Sequence, residues 1–272
     1  MFELIRAMIG IGALGLAALT WWVAGWPAGV VCLAAGWWVY QRGILWLVSR
    51  TDPIEPPNPQ DFRIACVGDS ITYGTFVEER PQKCYPAVLK QLLGDGFSVG
   101  NFGVPGGTMS SRGDIPYIKY QAFPQLPKYL PQIVVLMLGT NDSKPQNWRG
   151  VDHFQSETRT LVDKILSLPS KPFLYLATPA SAFVLPKHHK LMYNMQPEPL
   201  EQSRNAIREL ATELGLPLID IGASTAGFAQ GFDFDGIHTN GSGAKWIAEA
   251  VHVAISPKVS ELVGPRQSVT TQ

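Results

Sequence analysis

Cysteine is scarce. The chain has three, and they are scattered: Cys32 lies in a long apolar stretch, Cys66 in a short β-branched run and Cys84 just before a helical pattern. That spacing frames no disulfide scaffold, and all three read as packing residues. No Cys/His cluster has the spacing of a metal site, so no metal is expected. Charge is sparse as well: only 16% of the 272 residues are charged, and 22 Lys plus Arg balance 22 Asp plus Glu. A balanced chain of this kind is not a general nucleic-acid binder. Internal repeats are absent too. With 46% hydrophobic residues, one sizeable core can be buried.

From Ala7 to Gln41 charge vanishes altogether, and six of the eight tryptophans fall within the first fifty residues. Such a stretch reads as a membrane segment, here residues 1–50. A bilayer core about 30 Å thick takes roughly 20 helical residues, so the run is too long for one upright crossing. Gly25-Trp26-Pro27 divides it into two expected helices, about Leu4 to Ala24 and about Ala28 to Val48, with Arg42 snorkelling to the interface. A bilayer contact through residues 4–48 in this hairpin puts Arg6, Arg42 and Arg50 on one side and the remaining chain in the cytoplasm. A single tilted anchor, with the rest of the chain outside, is the rival. A cleaved signal peptide fits less well, because the run is long and lacks a small-x-small cleavage site.

Residues 51–60, rich in proline, are expected to be a semi-rigid spacer. Beyond it, through residue 258, strand and helix patterns alternate. Strands are expected at Ile64–Val67, Phe97–Asn101, Ile133–Leu138, Pro172–Ala177 and Leu218–Ile221. Helices are expected at Tyr85–Leu93, Asp152–Leu168, Pro199–Leu214 and Ser242–Ile255, the last with a serine cap. Five strands alternating with helices predict an α/β fold, a parallel sheet covered on both faces. Residues 259–272 read as a frayed tail.

Several of these strands end in chemistry-bearing residues. The first delivers Gly68-Asp69-Ser70 to the carboxyl edge of the sheet, the usual address of ligands in open α/β folds. An Asp-Ser helix cap would look the same. The second ends in Asn101-Phe-Gly-Val-Pro-Gly-Gly-Thr108 and the third in Leu138-Gly-Thr-Asn-Asp142. Both can aim main-chain or amide N–H groups at a developing oxyanion, although turns and caps explain them equally. After the last strand, Asp233-Phe-Asp-Gly-Ile-His238 lets one loop present a carboxylate and an imidazole together, with Asp233 and Asp235 both open as the partner. His153, His188, His189 and His252 read as surface residues.

These blocks, in this order and each after a strand, resemble the SGNH hydrolases, also called GDSL-type esterases. The resemblance covers about Asp61 to Ser256. It implies a three-layer αβα, flavodoxin-like fold with a five-stranded parallel sheet, here preceded by the transmembrane helical segment. It further implies Ser70 as nucleophile, His238 as base, Asp235 as the residue that orients it, and the Ser70 N–H, Gly106 N–H and Asn141 side chain as oxyanion donors. Gly106 follows from aligning Asn101-x-x-x-x-Gly, with Gly103 and Gly107 as competitors. Thr72 stands where the Gly-x-Ser-x-Gly elbow of ordinary α/β-hydrolases has its second glycine. No cofactor is implied.

The run Met137 to Trp148 is similar to sialate or carbohydrate O-acetylesterase-like members. It implies a small acyl pocket, with Asp69, Asp142 and Trp148 meeting substrate and Lys144 and Asn147 near the leaving sugar. The expected activity is a membrane-anchored serine esterase acting on short-chain O-acetyl esters of carbohydrates. The alternatives are a lysophospholipase or thioesterase, whose apolar channel would come from Ala182–Leu185 and Met192–Met195, and an O-acyltransferase.

Overall fold

The computed structural model describes Thr51 and residues 53–264, so the two expected membrane helices, Cys32 and the end of the tail lie outside the described residues. Among the described residues no helix is long and apolar enough to cross a membrane, and no group of His, Cys, Asp and Glu could hold a metal ion.

Five parallel strands form one sheet: β1 (Phe62–Gly68), β2 (Phe97–Gly103), β3 (Ile133–Met137), β4 (Phe173–Ala177) and β5 (Leu218–Ile219), in the order β2-β1-β3-β4-β5. The order reverses between β1 and β3. That switch point opens a crevice at the carboxyl ends of the strands.

The strands read as continuous apolar runs because both faces are covered. Ile64, Cys66, Ile133, Val135 and Met137 pack with Tyr85 and Leu89 of α3 and with Ile247, Val251 and Ile255 of α8. Here α3 is Tyr85–Leu93 and α8 is Gly241–Val263; two short helices, α1 (Ser70–Tyr73) and α2 (Arg80–Lys83), precede α3. After α4 (Leu126–Tyr129), α5 (Val151–Leu166) and α6 (Pro197–Leu214) pack on each other, α5 burying Phe154, Leu161 and Ile165. Three layers result, as the alternating pattern predicts.

The differences lie at element ends. β5 stops at Ile219 because Asp220 turns the chain into α7 (Ile221–Thr225), its Oδ1 accepting the Ala223 N–H at 3.1 Å. The cap of α8 is Asn240, not Ser242: its side-chain oxygen accepts the N–H groups of Ser242 at 2.9 Å and Gly243 at 3.2 Å. This helix also runs through Pro257 to Val263, beyond the expected frayed end at 259. Val259 is buried in the core and the Lys258 ammonium sits 4.4 Å above the Phe173 ring, so burial holds the last turns. The spacer lies against the domain: Pro53 to Pro57 line a cavity of about 420 Å³ together with Tyr73, Arg80 and Asn101.

Candidate active site

Ser70 is placed by the break in β1. A Cβ on Gly68 would lie 2.1 Å from Thr72 Oγ1 and 2.6 Å from the Met137 carbonyl oxygen, so only glycine lets the chain turn here against β3. Asp69 then caps α1, accepting the Ile71 N–H at 2.9 Å, and Ser70 becomes the first residue of the helix. Its N–H belongs to the first turn, where no intrahelical acceptor exists, and it donates to nothing among the described residues.

The imidazole comes from the other end of the chain. Gly236, at φ +70°, turns the loop so that a Cβ there would lie 2.1 Å from the Phe183 carbonyl oxygen. That turn folds Asp235 back onto its own loop, where Oδ1 accepts the N–H groups of Ile237 and His238, both at 2.9 Å. Asp235 Oδ2 meets His238 Nδ1 at 2.6 Å, and His238 Nε2 meets Ser70 Oγ at 2.8 Å. With Nδ1–H donating to the carboxylate, Nε2 is left to accept the serine proton. Burial alone would raise the Asp235 carboxyl, but the hydrogen bonds and charge of His238 and the two main-chain N–H groups outweigh it and hold it below the usual range. Asp233, the open alternative, accepts the Phe234 N–H at 2.7 Å, and the ring is held by Asp235 instead.

The donors sort themselves by hydrogen-bond accounting. The Gly103 N–H donates to Asn101 Oδ1 at 3.0 Å and the Gly107 N–H to the Val104 carbonyl at 2.8 Å. Among the described residues the Gly106 N–H has no acceptor. Asn141 uses one amide hydrogen on the Gly107 carbonyl at 3.2 Å, which ties the loop after β3 to the loop after β2, and keeps the other. Ser70, Gly106 and Asn141 thus follow three adjacent strands, each with an uncommitted N–H.

Other expected site residues sit elsewhere. Asp142 is buried, and its two oxygens accept the N–H groups of Met109 and Ser110, both at 2.9 Å. Burial pushes its carboxyl up to about 7, against the pull of those two donors. Asp69 is likewise buried beneath the helix it caps, and burial raises its carboxyl. Asp142 thus spends both oxygens on main-chain N–H groups, whereas Asp69 spends Oδ1 on the Ile71 N–H and its buried Oδ2 has no hydrogen-bond partner among the described residues. Asn147 is also a brace, donating to the Asn141 carbonyl at 2.9 Å and to Asp114 Oδ1 at 2.8 Å. Trp148 is half-buried against Phe154, with ring centroids 5.9 Å apart, and Lys144 is half-buried, its ammonium held below its usual range by burial. Leu191 and Met195 pack with Ile237, with Ala182 and Met192 alongside, so much of the expected apolar channel is a small core under the histidine loop. His153, read as a surface residue, is half-buried and meets Ser110 Oγ at 3.0 Å.

Two contacts of the histidine escape sequence reasoning. The Tyr193 hydroxyl donates to Asp235 Oδ2 at 3.0 Å, and its ring stands edge-on to His238 at 5.7 Å. Phe76 stands edge-on to the same imidazole at 5.1 Å. Both have left-handed backbones, φ +56° and +68°, which nothing in the sequence announces.

The known proteins to which the chain is similar include esterases and a lipase/acylhydrolase by name. The profile of the GDSL-like Lipase/Acylhydrolase family matches residues 66–246. A curated acetylxylan esterase of Xylanibacter ruminicola is 34% identical over 242 residues, covering 80% of this chain and 48% of that protein. The chain thus spans about half the length of that relative. Among solved structures, the aryl esterase of M. smegmatis superposes with a TM-score of 0.59 at 22% identity, covering 72% of this chain and 98% of that one. A carbohydrate acetylesterase of Sinorhizobium meliloti does so with a TM-score of 0.58 at 20% identity, covering 74% and 99%. At these identities the structures speak for the fold.

Proposed function

Because the chain belongs to the GDSL-like lipase/acylhydrolase family, we propose that it is a carboxylic ester hydrolase that works through an acyl-enzyme on Ser70 and removes short acyl groups, acetyl above all, from carbohydrates. The observation that carries this reading is the line of contacts from Asp235 Oδ2 to His238 Nδ1 at 2.6 Å and from His238 Nε2 to Ser70 Oγ at 2.8 Å.

Ser70 Oγ attacks the ester carbonyl while His238 Nε2 takes its proton, and Asp235 holds the tautomer and stabilises the imidazolium. The oxyanion is met by the N–H groups of Ser70, Gly106 and Asn141, each such donor lowering the barrier by roughly 3 kcal/mol. His238 then protonates the leaving alcohol. Water, deprotonated by the same imidazole, attacks the acyl-enzyme and releases the carboxylic acid and the free serine.

The carbohydrate part of the proposal rests on the 34% identity to an acetylxylan esterase. A membrane location is part of the same reading, supported by the absence of charge from Ala7 to Gln41. Protease accessibility of the catalytic domain in sealed vesicles distinguishes a cytoplasmic domain behind a hairpin from an outer domain behind a single anchor.

The acyl-length profile of the full chain, from acetyl to palmitoyl esters of one alcohol, tests the substrate class. Rates that fall steeply beyond short chains support it; a preference for long chains replaces it with a lysophospholipase or thioesterase.

A further inference from the structure

Three large aromatic side chains at the histidine are not used by the core. Phe234 is 61% exposed, Phe76 45% and Tyr193 44%. Phe76 lies edge-on to His238 at 5.1 Å, and Phe234, the residue before Asp235, lies against Phe76 at 5.2 Å with the rings tilted by 43°. Tyr193 touches the same imidazole at 5.7 Å. Exposed rings clustered beside a reactive group mark a surface kept open for a ligand. Holding Phe76 and Tyr193 in the left-handed region strains each backbone, and the fold does not recover that strain as buried area.

The chemistry says which part of a substrate meets these rings. His238 Nε2 hands its proton to the leaving oxygen, so that oxygen must come within about 3 Å of Nε2. The acyl group stays bonded to Ser70 Oγ, its oxygen towards Gly106 and Asn141. What extends from the imidazole across Phe76 and Phe234 is therefore the alcohol side of the ester. Those rings offer apolar faces with a negative quadrupole. A pyranose presents a matching surface: one face of C–H groups, weakly positive, with hydroxyls around its rim.

We propose that Phe76 and Phe234 form a leaving-group subsite that stacks on the C–H face of a pyranose ring, beside the imidazole that protonates the sugar's departing oxygen. The proposal deepens the carbohydrate esterase reading and rests on it. Tyr193 limits the subsite on its own contact with His238 while its hydroxyl stays on Asp235.

The test is a selectivity ratio, measured on the full chain: kcat/KM for a mono-acetylated methyl xylopyranoside divided by kcat/KM for ethyl acetate, which has no ring. Phe234 is the residue to change, since it contacts neither Ser70 nor His238 and its exposure makes misfolding a small risk. Phe234→Ala is expected to lower the ratio about five- to tenfold, the size of one lost aromatic contact, mainly through KM. Phe234→Trp should restore it. A wild type that prefers the xyloside, with that preference unchanged in Phe234→Ala, overturns the subsite and leaves the carbohydrate reading intact. A wild type that hydrolyses ethyl acetate yet shows no preference for the xyloside overturns both. If Phe234→Ala instead changes the preference between ethyl acetate and ethyl octanoate, the rings serve the acyl side and the proposal fails.

Discussion

Among the described residues, two places bring a serine hydroxyl against an imidazole, with a carboxylate close by. At one, Ser70 Oγ lies 2.8 Å from His238 Nε2; at the other, Ser110 Oγ lies 3.0 Å from His153 Nε2. The difference is in everything around the pair. Asp235 holds the opposite ring nitrogen of His238 at 2.6 Å, whereas Glu157 lies 4.0 Å from the same nitrogen of His153 that meets the serine. Glu157 is already occupied by the Ser111 N–H at 2.6 Å and hydroxyl at 3.1 Å. The Ser70 N–H is uncommitted, but the Ser110 N–H is donated to Asp142, and the Ser110 hydroxyl accepts the Arg112 N–H at 3.2 Å. Proximity of hydroxyl and imidazole is thus insufficient. A nucleophile needs a base with its other nitrogen anchored and free donors for the charge it creates.

The sharpest way to break this comparison is to delete the two hydroxyls in turn. Ser70→Ala should lower kcat on p-nitrophenyl acetate by about 10⁴-fold or more, while Ser110→Ala should keep turnover and lose roughly 1 kcal/mol of stability. Equal losses in the two variants would erase the distinction. Next in size is the oxyanion donor: Asn141→Ala should cost about a hundredfold to a thousandfold in kcat, with no counterpart at the second site.

Tyr193→Phe should have a smaller effect that concerns only the first pair. Removing the donor from Asp235 Oδ2 loosens the carboxylate that holds the imidazole in place. The kcat should therefore fall by about threefold to tenfold, the size of one lost hydrogen bond, with KM little changed. An unchanged kcat would reduce Tyr193 to packing.

The smallest effect belongs to the brace at the second site. Asp142 titrates at about 7 in the folded protein against an ordinary 3.8, so between those values the native state holds more protons than the unfolded one. Its contribution to stability is complete below the ordinary value and is lost as pH rises through about 7. Denaturation midpoints should accordingly fall between pH 5 and pH 8, and fall less in Asp142→Asn. A midpoint that rises over that interval in the wild type would show Asp142 ionised throughout.

The sequence made the sheet and the meeting of Ser70 with His238 legible for a local reason. An apolar run broken by glycine fixes where a strand ends, and Ser70 follows the break; a spacing of three from Asp235 to His238 fixes both side chains on one loop. The donor glycine was not legible to the same degree. Gly103, Gly106 and Gly107 differ in which N–H is already bonded, a property of folded partners such as Asn101 Oδ1 and the Val104 carbonyl. Asp69, Asp142 and Asn147 have the composition of ligand contacts, and only burial reveals them as braces. Phe76 and Tyr193 reach His238 from distant stretches through left-handed backbones that carry no glycine, so neither their place nor their conformation has a sequence pattern.

Under the proposed mechanism Ser70, and not Ser110, is the activated hydroxyl. Treating the full chain with diethyl p-nitrophenyl phosphate, which traps an activated serine as a stable phosphate ester, and mapping the adduct by peptide mass spectrometry tests it most directly. One diethylphosphate on Ser70 is expected, appearing in step with loss of esterase activity. An adduct on Ser110, or inactivation with Ser70 unmodified, would contradict it.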